Sequence, residues 1–486
     1  MKRLRDLFYF IQSLSKSEKR FFRLYAKLYN SQKDKHYTLL FNILEKIKVY
    51  DEKVIKEKIT KEIPNTNLGS IKIYLKEQLF TCLRLYHRNN TDTLKHYEDL
   101  SIAHILMTKG HYNYAQEILE KLEQDTLKKE NHLPNIATQE FLSACLTFQN
   151  SRDINTVQQS IVCYEKALKQ TEALKEYISI RLTYKKITHI LYAPQYNQDI
   201  KVALKKILKE ELETKHLKDI ENIVTKYYYL QCKSIIYNNI DTTALHRIAL
   251  LEQLLVVVYL AIGKGLFKQG EQWVALVNLA GLYTNTANTK KFYETIQKLD
   301  ETITYFDSVR KNNVLYWKYT RLYEFYYHFP NEKLLPNLLK ATEEWFNNTE
   351  APVNEKNKTG LRFAIARYYF VLGNYHTTIQ QLNIIVLKKD VQINDFYFLY
   401  IKVLYIVCQY EIEAYTVSQR ELLALKRKLR RHEIATENVK KILRNLTSII
   451  NIESQNYDIN KYYQKIIDIF ENDKEKELES KVLGFV

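Results

Sequence analysis

The chain has 486 residues, of which 46% are hydrophobic and 27% charged, enough apolar surface for a large core and too much for a disordered chain. Only 9 Gly and 6 Pro occur, which excludes all-β folds and glycine-rich nucleotide loops and favours long helices. The formal net charge of +17 points to an acidic partner (nucleic acid, an anionic membrane or an acidic protein face), although an AT-rich genome rich in Lys, Asn, Ile and Tyr codons gives the same excess.

Residues 1–90 carry 20 Lys or Arg against 9 Asp or Glu. Lys2-Arg3 followed by the apolar Leu7 to Ile11 faintly resembles an export leader. The apolar run is short and no small-residue cleavage site follows, so an intracellular, cytoplasmic protein is expected. Ser15-Lys-Ser-Glu18 has the spacing of a capping box. Residues 52–60 read as one helix, 64–67 as a turn and 68–86 as a second helix. Ile71, Leu75, Leu79 and Leu83 form its apolar stripe, and Ser70, Lys72, Lys76 and Arg84 spread around it. The shape resembles a helix-turn-helix, with Arg20, Arg23, Lys72, Lys76 and Arg84 as candidate polyanion contacts. The same residues also suit the first, basic hairpins of an all-helical stack.

Residues 91–420 are nearly balanced in charge. After Gly110, Tyr112, Ala115, Leu119 and Leu122 make an apolar row at helical spacing. Tyr375, Ile379, Leu382 and Val386 repeat it after Gly373, and Val439, Leu443, Leu446 and Ile450 near the end. No sustained alternation of period two exists. Short breaks near 30–34, 64–67, 132–134, 193–197, 330–332 and 349–354 imply roughly twenty helices, with Pro134 and Pro352 in first turns. The run 254–263 is about half of a bilayer span and reads as a buried helix, so no membrane insertion is expected.

The breaks align with one another. Lys-Gly-His-Tyr (109–112), Ala-Pro-Gln-Tyr (193–196), Leu-Gly-Asn-Tyr (372–375) and Val-Cys-Gln-Tyr (407–410) each place a tyrosine two residues after the break, and the last two tyrosines are 35 residues apart. Ala103, Ala115 and Ala366 supply small residues where paired helices must approach, and Tyr369 an aromatic plug. With these residues the chain resembles the tetratricopeptide-like superfamily, most clearly at 99–127 and 362–389 and more weakly at 397–425. The segments Leu14-Ser-Lys-Ser-Glu-Lys-Arg-Phe-Phe22, Leu68-Gly-Ser-Ile-Lys-Ile-Tyr74 and Leu429-Arg-Arg431 resemble a group of bacterial helical-repeat proteins without an assigned activity. The resemblance implies an all-α fold: an α-solenoid of stacked antiparallel helical hairpins. Its expected parts are a basic N-terminal region (1–90), repeats (91–430) and C-terminal capping helices (431–486).

No motif for chemistry stands out. Gly265-Leu-Phe-Lys-Gln-Gly270 begins like a phosphate loop, but Glu271-Gln272 replaces the Lys-Ser/Thr that grips phosphate and magnesium. The 12 His form no helical i, i+4 pair, and His104 and His111 have no carboxylate to complete a metal set. Cys82, Cys145, Cys163, Cys232 and Cys408 show no CxxC spacing and fit free, buried thiols. No catalytic residue, metal, cofactor or small-molecule substrate is expected. Aromatics crowd at 227–229 and 316–329, where Tyr227, Tyr228, Tyr316, Trp317, Tyr319 and Tyr323 fit either interhelical packing or a groove for a peptide or single-stranded bases. A second basic helix carries Arg420, Lys426, Arg427, Lys428, Arg430 and Arg431, the last four as candidate polyanion contacts. The expected function is a non-enzymatic scaffold that holds a protein or peptide segment. The alternatives are a nucleic-acid binder, or a peptide-responsive regulator, that uses 1–90 and 420–444.

Overall fold

A computed structural model describes residues 4–28, 34–64, 67–88, 92–150, 153–192, 200–240, 242–330, 335–347, 355–387, 395–431 and 437–451. Among the described residues there are 21 α-helices and no strand. The chain divides into two compact units, Met1–Leu174 and Lys175–Val486.

The first unit holds α1 (Leu4–Ser13), α2 (Lys16–Leu28), α3 (Asp34–Lys46), α4 (Glu52–Glu62), α5 (Leu68–His87), α6 (Asp92–Thr108), α7 (Tyr112–Lys128), α8 (His132–Asn150) and the start of α9 (Ile154–Tyr192). Helices α1–α5 form a head with a closed core. Helix α3 packs against α1, α2, α4 and α5, and the core runs from Leu4 to Cys82. The predicted stripe of α5 supplies Ile71, Leu75 and Leu79 to it, with Leu83 at its margin.

Local chemistry sets the helix ends of the head. The capping box at the start of α2 is formed: the Ser15 amide donates to the Glu18 carboxylate at 2.7 Å, and the Glu18 amide to the Ser15 hydroxyl at 3.2 Å. Asp51 caps α4 and Asn67 caps α5 by accepting two amides each. At the other end of α3, the Gln12 amide donates to the Leu44 and Ile47 carbonyls, which have no partner within the helix. Helices α6–α8 pack on one another around Leu100, Ala103, Ala115, Leu119 and Leu122. Ala103 and Ala115 are fully buried, as close helix approach requires.

The second unit continues with α10 (Ile200–Ile207), a π-helical turn at Leu208–Leu212, α11 (Ile223–Asn239), α12 (Ala244–Gly263), α13 (Trp273–Asn285), α14 (Thr289–Ile303), α15 (Ser308–His328), α16 (Leu335–Phe346), α17 (Glu355–Val371), α18 (Tyr375–Leu387), α19 (Asp395–Glu411), α20 (Tyr415–Arg431) and α21 (Glu437–Asn451). Most of these helices pack on the next, or on the next but one, as in α13 with α15 and α15 with α17. Helix α12 is, among the described residues, the one helix long and apolar enough to cross a membrane. It gives Leu251, Leu254, Val258 and Ala261 to the core and leaves Val256, Tyr259 and Leu260 exposed, so the run 254–263 is buried on one face only.

A single turn design joins many of these helices. At Gly110, Glu130, Gly265, Ala287, Gly373 and Glu413 the backbone has positive φ. At each, the amide of that residue donates to the carbonyl three back, and the next amide to the carbonyl five back. This closes the helix end and restarts the chain in the opposite direction. The tetrapeptide 407–410 is not such a turn, since it lies inside α19. Its hydrophobic run keeps the helix going until Glu413, so Gly373 and Glu413, about 40 residues apart, are the equivalent pair in place of a 35-residue interval. The aligned break at 193–196 lies outside the described residues.

The same step relates other positions in α17–α18 and α19–α20. The Thr378 hydroxyl donates to the Ala366 carbonyl, and the Ser418 hydroxyl to the Ile406 carbonyl. Arg362 donates to Gln381, and Lys402 to Glu421 at 3.0 Å, both across 19 residues. Leu382 and Leu422 are buried at matching places, and helices α16, α18 and α20 begin at Leu335, Tyr375 and Tyr415.

Candidate functional site

The basic head is the first candidate. Helices α2 and α5 run antiparallel. His87 Nε2 lies 2.8 Å from Glu18 Oε1, and the Tyr25 hydroxyl meets Gln78 at 3.3 Å. This register sets Arg20 at the level of Arg84. Both are exposed, and neither has an ion-pair partner among the described residues. Arg23 is turned away: it pairs with Glu45 and lies over the Phe41 ring. Lys76 lies over Phe80 at 5.6 Å, and Lys72 is half-buried within the field of Glu52. Thus Arg20 and Arg84 stay exposed, whereas Arg23, Lys72 and Lys76 are committed to contacts within the head. Helices α4 and α5 each pack on α3.

The second basic element, at the end of α20, belongs to the other unit. Arg427 is exposed, Lys428 is half-buried, and Lys426 donates to Thr447 of α21 at 2.8 Å. Arg430 and Arg431 close the helix, but their side chains lie outside the described residues.

The aromatic stretches are mostly core. Tyr323 is fully buried, with its hydroxyl 3.2 Å from that of Thr342 in α16. Tyr319 is buried with its ring against Trp345. Neither ring can face a groove, because α16 and α17 cover that side of α15. Tyr227, Tyr228, Tyr316 and Trp317 are half-buried. Tyr228 carries the Arg181 guanidinium on its face at 4.1 Å, and Tyr227 meets Phe267 edge to face. Desolvation pushes the Tyr227 and Tyr316 hydroxyls up to about 12, and the Gln231 amide donates to the Tyr227 hydroxyl at 3.1 Å.

Beside Trp317 lies a polar network that the residue pattern does not announce. Arg321 donates to Glu324 at 2.6 Å and to the Val277 carbonyl at 3.1 Å, with its guanidinium 6.0 Å from the Trp317 ring. Arg367, buried in α17, has its guanidinium 4.1 Å from the Tyr327 ring and 5.8 Å from the Tyr400 ring. Two glycines make the room: a Cβ at Gly281 would meet Arg321 at 2.9 Å, and one at Gly360 would meet the Tyr316 hydroxyl at 2.6 Å. Arg367 within the otherwise apolar and aromatic run 364–370 is the signal that sequence offers.

Other reactive groups are occupied. His96 is fully buried, with Nε2 2.7 Å from Asp125 and Nδ1 3.1 Å from the Asn131 amide, so neither nitrogen is open to a substrate. That bond to His96 holds the Asp125 carboxyl below the usual carboxylate range. The five cysteines are free and buried, and burial raises their thiols. His104 stacks on Phe141. The Gly265–Gly270 loop serves packing: Gly270 sits against Phe306, and its amide donates to Gln272. No group of His, Cys, Asp or Glu suited to a metal ion occurs among the described residues. An open cleft lined by Lys215, His216, Tyr229, Lys233 and Gln253 lies beside the π-helical turn. Comparison with protein-family profiles, with curated proteins and with solved structures finds no match to this chain.

Proposed function

We propose that the chain is a non-enzymatic scaffold: a tetratricopeptide-like α-solenoid that holds a segment of a partner protein. The carrying observation is the recurrence, at matched positions of α17–α18 and α19–α20, of one turn, one buried hydroxyl bond and one polar bridge. A hairpin repeated in register shares its apolar faces with its neighbours and extends a continuous surface along the stack. The step of about 40 residues exceeds the roughly 34 of tetratricopeptide repeats, so the proposed kinship is one of architecture. Half-buried Trp317 and Tyr316, beside Arg321 and Glu324, supply aromatic faces and charge-assisted partners of the kind that anchor an extended peptide. The exposed Arg20 and Arg84 on the basic head favour a second reading, in which the head binds nucleic acid.

One retention experiment separates the two. The full chain is immobilised, and bound protein and nucleic acid are analysed at about 50 and about 200 mM salt. The scaffold reading expects one protein segment at both salts, bound at least tenfold more weakly by Trp317→Ala with an unchanged circular dichroism spectrum. It fails if no segment is retained, or if binding ignores that substitution. The second reading expects nucleic acid at the lower salt alone, lost when Arg20→Glu and Arg84→Glu are combined.

A further inference from the structure

The first part of α9 shows two faces. One is seated on α8: the Ser160 and Ser143 hydroxyls lie 2.5 Å apart, His132 meets Gln170 at 2.7 Å, and Cys163 is buried with Leu142 and Cys145. The other carries Ile154, Val157, Ile161, Tyr164 and Leu168, which are 80%, 47%, 54%, 58% and 65% exposed. Their spacing alternates between three and four residues, which averages 3.5. That is the period of a seam between two helices; a solvated face would carry charge at these positions. All five lie in the first unit, and none is ionisable near neutral pH. Scattered exposed apolar residues are ordinary, but an unbroken row along four helical turns is not.

We propose that this stripe is the self-association surface of the protein, closed by α9 of a second copy. The spacing requires a helix with the same 3.5-residue period, and a second copy presents one. A two-fold arrangement sets the patch against itself, with no like charges meeting on the seam. Two such stripes would bury on the order of 1,000 Å², the lower end of what a specific interface needs, so a reversible dimer is expected. The inference is independent of what the proposed scaffold holds, since it uses neither α15 nor the head.

The test is sedimentation equilibrium of the full chain across protein concentration, with hydrogen exchange on α9. A dimer is expected, with Ile161→Asp and, separately, Tyr164→Lys each weakening association at least tenfold at an unchanged melting temperature. Val202→Asp, at an exposed apolar site on α10, leaves association unchanged. The proposal is overturned by a monomer at every concentration, by a dimer insensitive to both seam variants, or by amides of 154–168 that exchange no more slowly in the dimer than in the Ile161→Asp monomer.

Discussion

The head and the hairpins α17–α20 are both helical, yet they bury apolar side chains by different rules. In the head, α3 is a hub: the other four helices lean on it, and one core takes Leu7, Phe22, Leu44, Ile55 and Leu75 together. In the hairpins no helix is central. Helix α19 turns Ile401, Leu404 and Cys408 toward α17 and α18, and Leu399, Val403 and Ile406 toward α20 and α21. Phe370 and Tyr400 border both clusters. A closed core confines damage to itself, whereas a shared core passes it to the neighbours. Both designs lay arginines over rings, but the exposed Arg23 lies over Phe41 in the head, whereas the buried Arg367 of α17 lies between Tyr327 and Tyr400.

The strongest way to break this contrast is to cut a cavity in each region. Leu75→Ala and Leu382→Ala each remove a buried leucine and should cost about 2–5 kcal/mol. Hydrogen exchange should then rise throughout α1–α5 for Leu75→Ala, with α17–α20 unchanged. For Leu382→Ala it should rise in α17, α18 and α19 and fade toward α21. If both variants loosen the whole chain alike, the head and the hairpins form one cooperative block, and the contrast is wrong.

How much of this is legible in the residues differs between the two regions. In the head, the start of α2 and the bounds of α4 and α5 are readable to within about two residues, because their signals are local: the capping box at Ser15, the stripe on α5 and the turn before Asn67 each act within a few positions. The all-helical fold and the rough helix count follow from the same period. In α17–α20 the spacing of tyrosines suggests a step five residues shorter than the one that relates Gly373 to Glu413. The aligned tyrosine Tyr410 lies in the last turn of α19, and the real turn has Glu413 where a glycine is the expected marker. A glutamate in the left-handed region carries no sequence signature. Burial within the aromatic stretch is also illegible. Tyr316, Trp317, Tyr319 and Tyr323 follow one another on a single helix, and only the packing of α16 and α17 decides which rings close. For the candidate site, residue type picks out the basic helices, but pairing removes Arg23, Lys72 and Lys76 from the free set.

A finer test exchanges the turn residues of the two related hairpins. Gly373 has φ +71° with open space where a Cβ would stand, so Gly373→Ala carries only the backbone cost of a left-handed residue, about 1 kcal/mol. Glu413 has φ 61°, so Glu413→Gly should relieve a similar strain and stabilise by about 0.5–1 kcal/mol. Opposite shifts of the denaturation midpoint are expected from equivalent positions. Shifts of the same sign would mean that the two turns are not equivalent, and the step of about 40 residues would lose its physical basis.

The smallest effect concerns the head alone, and it isolates the charge of one carboxylate. The Glu18 carboxyl is held below its ordinary value, first by the Ser15 hydroxyl and then by His87. A carboxylate with a lowered value stabilises the fold above its unfolded pKa, and that contribution disappears as the pH falls through the lowered value. Glu18→Gln keeps the shape and removes the charge, so it should cost roughly 0.5 kcal/mol near neutral pH. The gap between the two proteins should be steady above the ordinary carboxylate range and close as the medium becomes more acidic than Glu18 itself. Exchange rates in α2 and at the end of α5 should report it, because Glu18 bridges those two helix ends. A gap that persists unchanged in acid would show that the shape of the side chain, not its charge, joins α2 to α5. The head would then owe its closure to apolar packing alone, by the same kind of force that holds the hairpins.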